Sequence, residues 1–292
     1  MSEVSLLFIT YPTLFIVATA LLSLIIGSFL NVLIYRLPKM MENEWQQEYQ
    51  AYFQPDSNTA PATKFNLAVP RSACTACNAP VLARDNVPLL SWLLLKGKCR
   101  SCSAPISPRY PLVETLTAVL SAVVAAKLGF GWPAALLIVL TWGLIALTFI
   151  DIDKMLLPDQ LTLPLLWLVL LFSLTDSAFV NPAQAIVGAA AGYLSLWSVY
   201  WLFKLLTGKE GMGYGDFKLL AIFGALLGWQ QLPLIILLSS AVGAVVGVTL
   251  ITVQGKSKAT PIPFGPYIAA AGWIAMLWGT QITNSYLRYL GL

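Results

Sequence analysis

Long stretches of the chain carry almost no charged residue, and this feature restricts the possible folds more than any other. The runs cover residues 4–35, 115–150, 160–203, 219–253 and 262–287. Each run is long enough for one or two bilayer crossings of about 20 residues. Only 10% of the 292 residues are charged, against about 25% in soluble proteins. The sequence therefore predicts an all-α polytopic membrane protein.

When these runs are divided at polar residues, prolines and glycines, they predict about eight transmembrane helices. The predicted spans are 9–34, 111–127, 134–150, 160–175, 184–206, 217–230, 232–253 and 265–284. Acidic Glu3 and the length of the first run favour a retained helix over a removable signal peptide. We therefore expect a first transmembrane helix in 1–37, a cytoplasmic segment in 38–110 and a transmembrane core in 111–292.

The distribution of basic residues supports this topology. If 36–110 is cytoplasmic, fifteen of the seventeen Lys and Arg residues fall on the cytoplasmic side. Such a bias is the usual signal of orientation in the membrane. Lys256 and Lys258 fall on that side only if the sixth span is a true crossing.

The chain contains no histidine. This absence excludes Ser-His-Asp and Cys-His catalysis, HExxH zinc proteases and every metal site that needs an imidazole. Any chemistry must use Asp, Glu, Cys, Lys, Arg, Tyr or Ser side chains.

All four cysteines lie in the segment 38–110, as two C-x2-C pairs separated by 21 residues, at Cys74, Cys77, Cys99 and Cys102. The usual four-thiolate zinc ribbon has about 15–20 residues between its pairs, so the spacing is slightly long but compatible. Cytoplasmic placement argues against the alternative of two disulfides, and a redox C-x-x-C remains a weaker alternative. The pattern predicts a structural zinc site in a small ribbon-like insertion after the first helix, because four thiolates leave no open coordination position.

Several carboxylates fall at the ends of predicted spans, on the cytoplasmic side. Asp151 and Asp153 follow the third span, and Asp216 precedes the sixth. Two carboxyls that are brought together share a proton. One can then accept a proton from water while the other protonates a carbonyl, as in an aspartic protease.

The residues around these carboxylates indicate which of them can form the catalytic pair. Gly213 and Gly215 allow the backbone and a substrate strand to approach Asp216 closely. Asp151 and Asp153 project in different directions from a continued helix, so only one of them can meet Asp216 well. For Asp159, a favourable interaction with a helix N-terminus is the preferred interpretation.

The chain resembles the type IV prepilin peptidase family, whose members are bifunctional leader peptidases and N-methyltransferases. Six motifs in order carry the resemblance: Gly27 to Asn31 with Tyr35 to Pro38, both cysteine pairs, Arg109 to Glu114, Asp151 to Asp153 with Leu157 to Asp159, Gly213 to Lys218, and Pro261 to Pro266.

The resemblance implies that Asp151 and Asp216 are the protease pair, with Asp151 favoured over Asp153. It implies cleavage after the Gly that ends a short basic leader, at the cytoplasmic face of the bacterial inner membrane. The new N-terminal residue, usually Phe, is then methylated with S-adenosylmethionine. The implied substrates are prepilins and pseudopilins of type IV pili and type II secretion, with no nucleic acid as partner. The tetracysteine segment is characteristic of the bifunctional members.

Other hypotheses stay open at this point. A transporter could use the carboxylates as a proton relay, a zinc-binding scaffold could recruit pilus-assembly proteins without catalysis, and a peptidase could lack methyl transfer. Asn31, Arg36, Glu114 and Lys218 are candidates for binding substrate or methyl donor, although positive-inside anchoring explains Arg36 and Lys218 equally well.

Overall fold

The computed structural model describes residues 3–53, 65–254 and 262–291. These ranges are mostly helical, and within them the only β-structure is two isolated bridges. Lys256, Lys258 and Pro261, on which parts of the sequence analysis depend, lie outside the described residues. The chain forms two compact units, Met1–Ala126 and Lys127–Leu292. The predicted domain boundaries at residues 37 and 110 remain predictions.

The first unit contains two long helices and the cysteine-bearing segment between them. Its helices are α1 (Glu3–Thr10), α2 (Pro12–Phe53), the short α3 (Leu90–Leu94) and α4 (Arg109–Leu128). Helix α2 begins at Pro12, because a proline lacks the N–H group that the first helical position does not need. Its 42 residues correspond to about 63 Å at 1.5 Å per residue.

Helix α2 continues well beyond the predicted first span, which ended at residue 34. An internal proline usually breaks or kinks a helix, yet α2 runs through Pro38 to Phe53. The residues after Pro38 include Lys, Met, Glu and Gln, which are good helix formers. Near its middle, α2 approaches α4 closely, since a Cβ atom on Gly27 would lie 2.7 Å from the Cα atom of Glu114.

The described part of the second unit is a set of six helices and one 3-10 turn. The helices are α5 (Trp132–Lys154), α6 (Asp159–Phe172), α7 (Pro182–Thr207), α8 (Tyr214–Leu227), α9 (Leu232–Gln254) and α10 (Gly265–Tyr289). Every residue of α8 from Leu219 to Leu226 is buried. Helix α8 is therefore the centre of this unit and is packed by α6, α7 and α10.

Small residues let α7 and α8 approach each other. A Cβ atom on Gly188 would lie 2.0 Å from the carbonyl oxygen of Gly224, and one on Gly192 would lie 2.7 Å from that of Leu220. Glycines spaced four residues apart form the close-contact face that is common in membrane helix pairs. This contact fixes α8, and with it the residues at the start of α8.

Each of the eight predicted spans falls mainly on one helix of the structure, although 9–34 begins in α1, 160–175 ends beyond α6, and 217–230 ends in the 3-10 turn after α8. Within the described ranges, five helical segments are long and apolar enough to cross a membrane. They are Pro12–Phe53, Arg109–Leu128, Trp132–Lys154, Pro182–Thr207 and Trp229–Leu250. Helices α6 and α8 have only 14 residues each, fewer than the roughly 20 that a full crossing needs. The membrane fold is confirmed, and the count of eight crossings remains a prediction.

Candidate active site and metal centre

The four cysteine thiols of the first unit converge on one point. Their Sγ atoms all lie within 4.8 Å of one another, and those of Cys74 and Cys102 are 3.8 Å apart. Four thiolates bound to one tetrahedral zinc ion at about 2.3 Å are about 3.8 Å from each other, whereas a disulfide needs about 2.05 Å. The cluster therefore fits a single four-coordinate metal ion.

Two equivalent tight turns bring the cysteines into this position. The amide of Asn78 donates to the carbonyl of Cys74, and the amide of Ser103 donates to that of Cys99, both at 2.9 Å. Asn78 and Ser103 have φ values of 55° and 58°, in the left-handed region that lets a chain reverse sharply. Each C-x2-C pair thus forms one half of the candidate metal site.

The surroundings of Cys74 favour its thiolate form. Backbone amides of Cys77 and Ala76 donate hydrogen bonds to its sulfur and lower its pKa to about 6, the contact from Ala76 spanning 3.4 Å. Because metal ions bind thiolate rather than thiol, these two amides favour the form of Cys74 that coordinates a metal ion.

In the second unit, Asp151 lies in the last turn of α5 and is only 5% exposed. The helix ends just beyond it, because Met155 adopts a left-handed φ of 52° and its amide donates to the carbonyl of Asp151 at 2.8 Å. The Oδ2 atom of Asp151 accepts a hydrogen bond from the backbone N–H of Gly265 at 3.0 Å. Gly265 is the first residue of α10, so this carboxyl faces the start of another helix.

Asp216 lies in the first turn of α8 and is 6% exposed. The backbone N–H of Gly213 donates to its carboxyl, and Asp151 is the charged group that acts on it electrostatically. Its Oδ1 atom is buried and has no hydrogen-bond partner among the residues that the structure describes. Asp216 is thus a second buried carboxyl in the neighbourhood of Asp151, with one oxygen available for a further hydrogen bond.

A single leucine packs against both chain segments that frame this pair. A Cβ atom on Gly215 would lie 2.5 Å from the Cβ atom of Leu157, and one on Gly265 would lie 3.2 Å from its Cδ1 atom. Leu157 is 8% exposed and lies between α5 and α6. Gly215 therefore makes room for Leu157, and the close approach of a substrate strand remains a prediction.

The other predicted carboxylates take different positions. Asp153 is exposed, as expected for a residue two positions from buried Asp151 on a helix. Asp159 is in the first turn of α6, where the helix dipole favours it, and it also forms an ion pair with Lys218 of α8. The structure therefore brings Asp216 together with Asp151, and it leaves Asp153 at the surface.

Four polar residues are candidates for binding substrate or the methyl donor, and each of them contacts another residue of the chain: Asn31, Arg36, Glu114 and Lys218. The guanidinium of Arg36 donates to the carbonyls of Asn66, Leu67 and Pro70, and Lys218 pairs with Asp159. The side chains of Arg36 and Lys218 therefore both make intramolecular contacts.

Asn31 and Glu114 are engaged in the first unit. Asn31 donates from Nδ2 to the carbonyl of Tyr110 at 3.1 Å. The Oε2 atom of Glu114 accepts from the amide of Leu89 at 2.7 Å, and the hydroxyl of Ser28 also donates to this carboxyl. Leu89 has a φ of 60°, which is strained for a branched residue. Glu114 thus stabilises a turn located between the two cysteine pairs, a role that its sequence position alone did not indicate.

Comparison with known families covers most of the chain. The model of the bacterial peptidase A24 N-terminal domain matches residues 21–128. The model of the type IV leader peptidase family matches residues 138–248. The first match includes the four cysteines, and the second includes both Asp151 and Asp216.

Curated relatives match over nearly their whole length. A protein of Aeromonas hydrophila is 62% identical over 276 residues, which are 94% of this chain and 95% of the relative. Proteins of Stutzerimonas stutzeri and Pseudomonas aeruginosa are each 54% identical, over 96% and 97% of this chain and the same shares of the relatives. All three carry the name prepilin leader peptidase/N-methyltransferase. No solved structure matches the chain.

Proposed function

The chain belongs to the type IV leader peptidase family, and we propose that it removes prepilin leader peptides with Asp151 and Asp216 as its catalytic pair. It is a membrane-embedded enzyme with prepilins as substrates, and it methylates the N-terminus that cleavage exposes. The assignment of the pair is supported by two observations: Asp151 and Asp216 are both buried next to the segments that Leu157 contacts, and Oδ1 of Asp216 lacks a partner within the described chain.

The chemistry of such a pair is the hydrolysis of a peptide bond by general acid–base catalysis. One carboxylate removes a proton from water, and the oxygen of that water attacks the scissile carbonyl carbon. The other carboxyl donates its proton to the carbonyl oxygen. The scissile bond follows the Gly at the end of a short basic leader, and the products are the leader and a new amine.

Methyl transfer to that amine uses S-adenosylmethionine as donor, with Phe as the usual acceptor residue. The enzyme lies in the bacterial inner membrane with its active site at the cytoplasmic face, in line with the bias of basic residues. Its substrates extend to pseudopilins, so it serves both type IV pilus assembly and type II secretion.

The tetracysteine cluster holds a structural zinc ion. Cys74, Cys77, Cys99 and Cys102 supply four thiolates at suitable separations, which complete the coordination of the ion. A bound ion would fix the two tight turns relative to each other and stabilise the segment around them.

The proposed activities can be tested with purified protein in detergent. The substrate is a prepilin whose basic leader ends in Gly and is followed by Phe. Mass spectrometry of the product, with and without S-adenosylmethionine, reads cleavage and methylation separately. Asp151→Asn and Asp216→Asn should each abolish cleavage, and Asp153→Asn is the matched control because it makes the same change on an exposed neighbour. Cleavage by either buried-site variant would reject the pair, and cleavage without a donor-dependent methyl group would retain the peptidase alone.

A further inference from the structure

The two carboxyls of the candidate pair differ in their hydrogen-bond partners. Oδ2 of Asp151 accepts the backbone N–H of Gly265 at 3.0 Å, and Gly265 is the first residue of the 25-residue helix α10. The first N–H groups of a helix have no partner within it and carry a partial positive charge. A negative charge on Asp151 is therefore stabilised by both the hydrogen bond and the end of α10.

The surroundings of Asp216 favour the opposite protonation state. Its carboxyl also accepts one backbone N–H, from Gly213, in the first turn of α8. Unlike Asp151, however, it has a buried oxygen, Oδ1, without a hydrogen-bond partner among the described residues. A buried carboxylate with an unsatisfied oxygen is costly. The protonated group has an O–H that can donate to a carboxylate or to a substrate carbonyl.

From this asymmetry we propose that Asp151 is the ionised general base, that Asp216 is the protonated general acid, and that the Gly265 N–H maintains this assignment. The inference rests on the proposed catalytic pair and adds the role of each member. Gly265 is a positioning residue, because it acts on the substrate only through Asp151.

The assignment defines a balanced sequence of proton transfers. Asp151 takes a proton from water as the C–O bond forms, and Asp216 gives its proton to the carbonyl oxygen, which produces a neutral gem-diol. When the C–N bond breaks, Asp151 passes its proton to the leaving amine. One hydroxyl of the gem-diol returns a proton to Asp216, so both carboxyls recover their starting states.

The absence of a side chain at Gly265 is necessary for this contact. A Cβ atom at this position would lie 2.6 Å from Oδ2 of Asp151, so any larger residue must displace the carboxyl or the start of α10. The other charged residues at these ends of α5, α6 and α8 are Asp153, Lys154, and the ion-paired Asp159 and Lys218. Asp153 and Lys154 are exposed, and the Gly265 N–H donates to the buried carboxyl of Asp151.

Infrared spectroscopy of folded, purified variants tests the assignment without requiring activity. The C=O stretch of a protonated carboxyl is separate from the bands of a carboxylate, so difference spectra at the pH of maximal activity report which residue holds the proton. We expect Asp216→Asn to lose this band and Asp151→Asn to retain it. Loss in Asp151→Asn with retention in Asp216→Asn, or loss in both variants, would overturn the assignment.

The role of Gly265 is tested by the pH dependence of cleavage. Gly265→Ala should move the acidic limb of the kcat/KM profile to higher pH by about one unit, the effect of a weakened hydrogen bond to a charged group. Gly247→Ala is the control, because its added Cβ atom would meet only Ile262 at an ordinary 3.4 Å. If Gly265→Ala is inactive, its infrared difference spectrum should show an additional protonated carboxyl.

The possible failures can be told apart. An unchanged acidic limb, or an unchanged carboxyl band in an inactive Gly265→Ala protein, would overturn the role of Gly265 while the pair itself stands. Cleavage by Asp151→Asn or Asp216→Asn would instead overturn the proposed function on which the inference rests.

Discussion

Lys218 donates a hydrogen bond from its Nζ atom to Oδ1 of Asp159 at 2.5 Å, and this ion pair joins the first turns of α6 and α8. Asp216 lies two residues before Lys218 on α8. The contact therefore helps to fix the orientation of the turn that carries a candidate catalytic residue. It also explains Lys218 without a direct contact to substrate.

Removal of this ion pair should have a small effect. The side chains of Lys218 and Asp159 are 25% and 53% exposed, and ion pairs near a surface typically contribute about 0.2–1 kcal/mol. Asp159→Asn and Lys218→Met should each lower kcat/KM about two- to fivefold. The double variant should be no worse than either single variant, because both remove the same contact. Steady-state kinetics of the three proteins checks this, and a rise in KM specific to Lys218→Met would instead indicate that Lys218 binds substrate.

A methyl group at Gly215 should be far more damaging. It would lie 2.5 Å from the Cβ atom of Leu157, so Gly215→Ala must displace either Leu157 or the start of α8. A misplacement of about 1 Å can lower the rate of catalysis about 100-fold. We expect a kcat/KM loss of that order, measured by the cleavage assay, with the protein still folded in detergent.

A compensating substitution distinguishes steric displacement from a direct catalytic role of Gly215. Leu157→Gly removes the atom that the new methyl group would meet, so the double variant should recover part of the lost activity. Gly247→Ala serves again as the control for added volume in a helix of the same unit. A double variant that is no more active than Gly215→Ala would contradict the steric explanation.

The helices and the cysteine cluster could be predicted because local sequence determines them. Apolar length requires membrane helices, and two C-x2-C pairs indicate a tetrathiolate site whatever the fold around them. The same local reasoning predicts that only one of Asp151 and Asp153 can meet Asp216 well, since residues two apart lie on different faces of a helix, and of the two only Asp151 is buried.

The contacts that organise the candidate site could not be predicted in this way. The amide of Gly265 and the carboxyl of Asp151 are 114 residues apart in the chain, and no periodicity links them. The motif Pro261 to Pro266 was recognised without any indication of its partner. Glu114 likewise meets Leu89 only in the folded chain. Such pairings depend on helix packing, which single-sequence patterns do not specify.

Metal binding should depend on all four cysteines of the cluster. Elemental analysis of the purified wild type should give one zinc ion per chain, and Cys77→Ser or Cys102→Ser should abolish it, because a serine hydroxyl is a poor substitute for a thiolate ligand. Ser101→Ala is the matched control, since Ser101 is an exposed neighbour of Cys102. The cysteine variants should unfold at a lower temperature. A wild type that contains no metal, or a cysteine variant that keeps it, would contradict the prediction.

The buried guanidinium of Arg36 should be replaceable by neither Lys nor Met. Arg36 is 7% exposed, and its Nη atoms donate to the carbonyls of Asn66 at 2.9 Å and Pro70 at 2.6 Å. Loss of these donors would remove hydrogen bonds made by a charged group, which typically contribute about 1.5–3 kcal/mol. Hydrogen exchange of residues 65–73 should therefore be faster in both variants.

The comparison of Lys with Met at this position separates two explanations of Arg36. An ammonium group keeps the positive charge but lacks the planar fork that reaches several acceptors at once. If Arg36 acts only as a topological signal, Arg36→Lys should match the wild type and only Arg36→Met should differ. If the hydrogen bonds matter, both variants should show faster exchange at 65–73, while Arg84→Met, a change at an exposed arginine of the same unit, should not.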